Sequence, residues 1–130
     1  MIDHISVGVS DIARSTAFYE AIFAPLGLKK IVVFPATVGF GKDYPEFWLN
    51  LRAGMAPVAP ESGTHICLRA RTVADVEAFH AAALRAGGAD DGAPGLRPHY
   101  SVKYSAAFVT DPDGNRIEVV TFLKDAQVFG

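Results

Sequence analysis

Glu118 is a carboxylate in a segment that otherwise has the composition of a buried strand. Residues 116–122 read Arg-Ile-Glu-Val-Val-Thr-Phe. Because side chains alternate along a strand, Glu118 shares one face with Arg116, Val120 and Phe122. Burying an ionised carboxylate is costly unless the group is paired, protonated or bound to a metal. The sequence therefore predicts a partner for Glu118.

Two histidines, His4 and His65, precede Glu118 on predicted strands and occupy equivalent positions in an internal repeat. Residues 3–27 align with residues 64–88 at a constant offset of 61 without a gap, and seven of the 25 aligned pairs are identical. A repeat of this size indicates two copies of one supersecondary unit. If the copies pair about a pseudo-twofold axis, their first strands face each other and both histidines can approach Glu118.

These three side chains form a ligand set that suits a catalytic metal. Two imidazoles and one carboxylate on strands can bind iron, manganese, nickel or zinc and leave coordination positions open for water or substrate. His4, His65 and Glu118 are therefore interpreted as metal ligands. The alternative interpretation is two core histidines and a salt-bridged glutamate. The repeat favours the metal, because it relates two of the three positions to each other.

Each repeat is predicted to fold as a strand, a helix and three further strands. In the first, Asp11 is typical of a helix N-cap, and Pro25 with Gly27 ends the helix. In the second, the run Asp-Pro-Asp-Gly-Asn at 111–115 has the turn residues of a tight connection. The predicted strands are 2–9, 30–34, 37–40 and 47–51 in the first module, and 95–100, 104–110 and 115–122 after the opening strand of the second.

The repeat predicts a single α+β domain over residues 1–130. It comprises module one (1–51), a linker rich in Pro and Gly (52–63), module two (64–122) and a C-terminal tail (123–130). Each module alone is too small for a good core, so the two are expected to pair through their sheets.

The composition indicates an ordinary globular protein, with 50% hydrophobic and 20% charged residues. A net charge of -2 and a pI near 6.0 give no basic surface of the kind that binds nucleic acid. No apolar run approaches the roughly 20 residues of a transmembrane helix, and the first strand begins at residue 2, so a cytoplasmic location is expected.

The lone cysteine, Cys67, shares the face of His65 and is interpreted as a small packed hydrophobe.

The segments described so far resemble the vicinal oxygen chelate superfamily, which includes glyoxalase I, bleomycin-resistance proteins and type I extradiol dioxygenases. The resemblance rests on Asp-His-Ile at 3–5, Gly-Thr-His-Ile at 63–66 and Asp-Pro-Asp-Gly-Asn-Arg-Ile-Glu at 111–118. Residues 92–100 are similar to a single-domain, glyoxalase-like branch. The resemblance implies two paired βαβββ modules that form a curved mixed sheet around a cleft, a divalent metal on His4, His65 and Glu118, and a homodimer.

One position departs from glyoxalase I, which has a fourth ligand, a carboxylate, at the repeat partner of Glu118. Aligning residues 47–49 with 117–119 places Trp48 there, and a slip of two residues places Asn50 there. Glu46 fits only after a further slip. Because the enediolate chemistry of glyoxalase I needs a carboxylate base beside the metal, this departure argues against that reaction. The three-ligand set resembles the dioxygenase pattern instead, although those enzymes usually have two paired domains.

Aromatic and basic residues near the predicted ligands are candidates for catalysis and substrate binding. His99 could act as an acid or base, and Tyr104 as a phenol donor. The alternative for His99 is a loop residue that satisfies backbone groups. An arginine on a ligand face could bind an anionic substrate or pair with a nearby acid. The predicted substrate pocket comprises Trp48, Asn50, Tyr100, Arg69 and Arg116, with a core aromatic as the alternative for Trp48.

The expected function is that of a metal-dependent enzyme whose small substrate chelates the metal through adjacent oxygens. The reaction is either a lyase or isomerase step or a dioxygenation. The alternative is a metal-free, ligand-sequestering protein of the bleomycin-resistance type. Loss of the ligand residues would mark that alternative, and all three are present in this chain. A third hypothesis is a metal-binding domain without activity.

Overall fold

A computed structural model describes residues 1–123 and contains the two predicted modules. Each has the order strand, helix, strand, strand, strand, and each forms a four-stranded mixed sheet. The strand orders, β1-β4-β3-β2 and β5-β8-β7-β6, are equivalent. The α+β, paired βαβββ prediction is thus confirmed. The elements are β1 Ile5–Val9, α1 Ile12–Phe23, β2 Lys29–Phe34, β3 Thr37–Gly41, β4 Phe47–Leu51, β5 His65–Arg69, α2 Val73–Arg85, β6 Ala89–Leu96, β7 Tyr104–Thr110 and β8 Arg116–Phe122.

The two helices begin at N-caps that occupy equivalent repeat positions. The side chain of Asp11 accepts a hydrogen bond from the backbone N–H of Arg14 at 3.0 Å, and Thr72 accepts one from Asp75 at 3.1 Å. Each cap satisfies a backbone donor that has no partner inside the helix. Both helices then bury one face, with Phe18 of α1 and Phe79 of α2 fully buried.

The modules contact each other through their helices. α1 packs against α2, and the buried residues of both modules form one hydrophobic cluster. Gly88 marks how closely they approach, because a Cβ atom there would lie 2.6 Å from both Phe18 Cε2 and the carbonyl oxygen of Thr110. The expectation that the sheets themselves pair is not met within one chain, since no strand of one sheet is hydrogen-bonded to the other in the described part of the chain.

The turn at 111–115 also ties the second module to the first. The buried carboxylate of Asp111 accepts a hydrogen bond from the Tyr19 hydroxyl of α1 at 2.6 Å. The side-chain amide of Asn115 donates to the carbonyl oxygen of Gly8 at 2.9 Å, and Asp113 accepts from the backbone N–H of Ser10 at 3.0 Å. The residues that predicted a hairpin turn therefore also hold the two modules together.

Two predicted strands differ from the structure by more than one residue at a boundary. β6 spans Ala89–Leu96, whereas the sequence predicted a strand at 95–100. Gly92, Pro94 and Gly95 are typical of a turn, but here they lie on an edge strand, where the register against β7 shifts twice and a proline is tolerated. β1 begins at Ile5 instead of residue 2. The predicted tail, apart from its first residue, lies outside the described residues. Within residues 1–123, no helix is long and apolar enough to cross a membrane.

Candidate metal and substrate site

The parallel pair of β5 and β8 brings His65 and Glu118 together. Cys67 is in register with Glu118, and His65 is in register with Arg116, so these side chains share one sheet face. His65 Nε2 lies 3.1 Å from Glu118 Oε1. The His65 side chain is half exposed, whereas that of Glu118 is only 3% exposed. Glu118 thus has the partner that its burial requires, and the imidazole remains accessible from the open side of the sheet.

Tyr104 on β7 supplies the second partner of Glu118. Its hydroxyl donates to Glu118 Oε2, the carboxylate oxygen that His65 does not contact. Burial raises the pKa of the Tyr104 phenol well above its usual value, and the hydrogen bond to Glu118 raises that pKa further. Both effects disfavour the charged phenolate. Tyr104 therefore keeps its proton at neutral pH and donates it in a hydrogen bond to Glu118, and its catalytic role stays a prediction.

Cys67 lies beside this pair, with its Sγ 3.9 Å from the Tyr104 hydroxyl. Desolvation raises the pKa of the Cys67 thiol to about 12, and the negative charge of Glu118 contributes to the rise. Because the thiolate is the form that binds metals and reacts as a nucleophile, the thiol is inert at neutral pH.

His4 is not brought to the His65–Glu118 pair within one chain. It immediately precedes β1, in the other sheet, and its Nδ1 lies 2.7 Å from an Asp3 carboxylate oxygen. Among residues 1–123, no group of three or more His, Cys, Asp or Glu side chains is arranged to hold a metal. The structure thus assembles two of the three predicted ligands, and the complete set stays a prediction.

Strand register identifies the repeat partner of Glu118. Ser6 is in register with Trp48, as its repeat equivalent Cys67 is with Glu118. Trp48 therefore occupies the position where glyoxalase I has its fourth ligand, and the slip that would place Asn50 there does not occur. A Cβ atom at Gly39 would lie 2.9 Å from the Trp48 ring, so the glycine makes room for the indole.

An open cleft of about 390 Å³ lies next to His65. Two of the predicted pocket residues, Tyr100 and Arg116, line it. Arg116 Nε lies 3.3 Å from a carboxylate oxygen of Asp91. Arg116 therefore also pairs with a nearby acid, which was the alternative role given for it. Trp48 and Asn50 lie on the first sheet and do not line this cleft.

Arg69 and His99 do not line this cleft. The Arg69 guanidinium lies over the Phe122 ring, 4.6 Å from its centroid. The imidazole of His99 contacts the ring of Tyr100, with 4.2 Å between centroids. His99 has no hydrogen-bond partner among residues 1–123, and its acid–base role stays a prediction.

Arg97 and Phe108 line the same cleft, and the sequence did not single them out. Phe108 is in register with Glu118 on the neighbouring strand, which puts its side chain on the ligand face. Arg97 directly follows β6, the strand whose position was predicted wrongly. An arginine directly after an edge strand that pairs with β7, the strand of Tyr104, would have indicated this cleft residue.

The chain matches the family model of the glyoxalase/bleomycin resistance protein/dioxygenase superfamily over residues 1–119. Together with the paired βαβββ modules, this match shows that the chain belongs to that superfamily. No match was found among curated proteins.

Solved structures agree with this assignment. A glyoxalase/bleomycin resistance protein from Albidiferax ferrireducens T118 has 29% sequence identity and a TM-score of 0.79, over 90% of this chain and 95% of that one. The fosfomycin resistance protein FosX from Listeria monocytogenes has 16% identity and a TM-score of 0.66, over 90% and 88%. An E144Q mutant of glyoxalase I from Zea mays has 23% identity and a TM-score of 0.67, over 90% of this chain and 45% of that one. The last two likenesses show the fold alone.

Proposed function

We propose that this protein is a divalent-metal enzyme whose small substrate binds the metal through two adjacent oxygen atoms. The observation that carries the proposal is the His65–Glu118 pair, with Nε2 and Oε1 3.1 Å apart beside an open cleft. An imidazole and a carboxylate are both ligands that iron, manganese, nickel and zinc accept. The pair therefore fits two positions of a His-His-Glu set.

His4 of a second copy is the proposed third ligand. His4 and His65 are repeat equivalents, and their side chains are similarly exposed, at 54% and 50%. Because β1 and β5 belong to different sheets, the first module of another chain would have to cover the β5–β8 face to complete the set. A twofold dimer would form two such sites, each built from both chains.

The proposed roles follow from the protonation of the site residues. When bound, the metal would supply Lewis acidity to the two substrate oxygens. Tyr104 holds its proton because its pKa is raised, and if the metal displaces its hydroxyl from Glu118, that hydroxyl can donate a hydrogen bond to a substrate oxygen that gains negative charge. His99, beside the cleft-lining Tyr100, is the proposed acid–base group on the substrate side.

Trp48 argues against an isomerisation of the glyoxalase I type. An isomerisation of the glyoxalase I type needs a carboxylate base at this repeat position, and an indole cannot accept the proton. The residues therefore favour a reaction that needs only three protein ligands and a proton donor, such as ring-opening oxygenation or a lyase step. This reading agrees with the three-ligand pattern of the extradiol dioxygenases.

A metal-free, ligand-sequestering protein is the second candidate. It is favoured by one observation, that both oxygens of Glu118 already accept hydrogen bonds, from His65 and Tyr104. A carboxylate with two protein partners needs no metal to compensate its burial.

Metal content separates the two candidates. The full chain, purified without an affinity tag and incubated with each ion, is analysed by mass spectrometry beside the variants His4→Ala, His65→Ala and Glu118→Ala. His99→Ala is the control, because His99 is exposed and is not a proposed ligand. We expect about one metal per chain in the wild type and the control and loss of metal in the other three, as the ligand set requires. No metal with any ion would leave the sequestering protein as the better account, whereas metal retained by Glu118→Ala would refute the proposed ligand set.

A further inference from the structure

The cleft beside His65 contains an arginine whose charge is not neutralised by any carboxylate of the described residues. Arg97 Nη1 donates to the carbonyl oxygens of Gly95 at 2.8 Å and Leu96 at 3.4 Å, and Nη2 donates to Ala93 at 2.7 Å. All three acceptors are neutral backbone groups. Within residues 1–123, Arg97 forms no ion pair with an acidic side chain.

Arg97 is also fixed in position. Its guanidinium lies over the Phe108 ring, 5.4 Å from the centroid. A Cβ atom at Gly92 would lie 2.9 Å from Phe108 Cδ1 and 3.3 Å from Arg97 Nη2, so a larger residue there would crowd both groups. Backbone carbonyls, an aromatic ring and a glycine thus hold the guanidinium without any opposite charge. Such preorganisation lowers the entropy lost when a ligand binds.

The hydrogen bonds of Arg97 leave donors for a ligand. A guanidinium has five N–H donors. The bonds to Gly95, Leu96 and Ala93 use at most three of them, which leaves Nε–H and one Nη2–H without a partner in the described part of the chain. These adjacent nitrogens can bind a carboxylate through two parallel hydrogen bonds.

The other arginines of this face differ from Arg97. Arg116 lines the cleft but pairs with Asp91. Arg69 lies over Phe122 and does not line the cleft. Arg97 is therefore the cleft cation, among residues 1–123, that a ligand can pair with at no cost to an existing ion pair.

We propose that Arg97 is the carboxylate-binding residue of this cleft and that the ligand is a small planar carboxylic acid. The carboxylate would bind the guanidinium, and an aromatic or conjugated body would pack against Tyr100 and Phe108, which also line the cleft. A volume of about 390 Å³ lies within the roughly 300–1,000 Å³ of small-molecule sites. The claim that Arg97 binds the substrate rests on the proposed function, because His65 lines the same cleft. The claim that the cleft binds a carboxylic acid does not depend on a metal.

Benzoate is the probe, and benzamide is its neutral counterpart. Both are titrated into the chelator-treated full chain and followed by calorimetry and by backbone amide NMR shifts. We expect benzoate to bind, benzamide to bind about tenfold or more weakly, and added salt to weaken benzoate binding. Arg97→Gln should weaken benzoate binding by about tenfold or more. Arg97→Lys should restore it only in part, because lysine keeps the positive charge but cannot form two parallel hydrogen bonds with one carboxylate. Arg69→Gln removes the same charge outside the cleft and should bind benzoate like the wild type.

Equal binding of benzamide and benzoate, no benzoate binding at millimolar concentration, or an equal loss in Arg69→Gln and Arg97→Gln would overturn the proposal. If the Arg97 variants do not fold, the wild type alone decides: benzoate must shift the amide signals of Gly92 and Phe108, and benzamide must need about tenfold or more higher concentration to shift them equally. The metal analysis is a separate readout. If the metal analysis finds metal but benzoate does not bind, only the Arg97 proposal is refuted. If benzoate binds but the metal analysis finds no metal, the Arg97 proposal is supported and the proposed metal enzyme is refuted.

Discussion

The hydrogen bond between Tyr19 and Asp111 is predicted to be a main contact that holds the two modules together. Tyr19→Phe deletes one hydroxyl that donates to Asp111 Oδ2 at 2.6 Å, and both side chains are buried. The ring of Tyr19, which packs against Phe18, Phe23 and Phe47, is retained, so the substitution creates almost no cavity. The effect on stability therefore reports the hydrogen bond and not the packing.

The expected loss of stability in Tyr19→Phe follows from the kind of hydrogen bond that is removed. A hydrogen bond to a charged group contributes about 1.5–3 kcal/mol, and a buried acceptor that loses a donor is costly. Asp111 keeps three other donors, the side chain of Asn115 and the backbone N–H groups of Asp113 and Asn115. We therefore expect Tyr19→Phe to lower the free energy of unfolding at pH 7 by about 2 kcal/mol.

The same bond predicts a dependence on pH. Burial raises the pKa of Asp111 above its ordinary value, and the hydrogen bond from Tyr19 opposes that rise. A carboxyl group whose pKa is higher in the folded state contributes stability below its unfolded pKa, and this is lost as pH rises through the folded value. Without the Tyr19 hydroxyl the folded pKa rises further, so more stability is lost on going to neutral pH. The destabilisation by Tyr19→Phe is therefore largest at neutral pH and smaller below the unfolded pKa.

Urea unfolding at fixed protein concentration, repeated between acidic and neutral pH, measures this effect. Tyr44→Phe is the matched control, because Tyr44 is exposed and surface changes are usually within about 0.5 kcal/mol. A Tyr19→Phe variant within that range at pH 7, or one whose destabilisation grows as pH falls, would refute the reasoning.

Two further predictions concern packing and reactivity. Gly88→Ala places a Cβ atom 2.6 Å from Phe18 and Thr110 and should lower the free energy of unfolding by about 1–3 kcal/mol; unfolding like that of the wild type would contradict the close module contact. Cys67 is exposed but has a pKa of about 12, so its reaction with a disulfide reagent at pH 8 should be about tenfold or more slower than that of free cysteine. A rate equal to that of free cysteine would contradict the raised pKa.

Much of the fold could be predicted from the sequence because the repeat is local and regular. The caps Asp11 and Thr72 and the buried helix residues Phe18 and Phe79 recur at one spacing, which is enough to predict both modules. The side-chain period of two put Glu118 on one strand face, and the structure gives it the partner that its burial required. These inferences depend on residues close in sequence, where local geometry determines which side chains share a face.

The rest could not be predicted because it depends on contacts between distant residues. Hydrophobic periodicity shows that each module has an apolar face, but not whether the modules meet through sheets or helices. The close approach of Gly88 to Phe18 is one of the contacts between the modules, and no local sequence pattern predicts it. The edge position of β6 likewise depends on its pairing with β7, so Arg97 was missed as a cleft residue. The turn residues Asp111 and Asn115 were recognised, but their contacts with Tyr19 and Gly8 were not.

A metal site shared between two copies of the chain can be tested by mixing two variants that each lack one proposed ligand. His4→Ala and His65→Ala, carrying different tags, are unfolded together and refolded, and the dimers that carry both tags are isolated. Each variant alone should bind no metal. In the mixed dimer, one site loses both histidines while the other keeps His4 from one chain with His65 and Glu118 from its partner, so we expect about one metal per dimer. A mixed dimer as free of metal as either variant alone, beside a wild type that binds metal, would contradict a shared site.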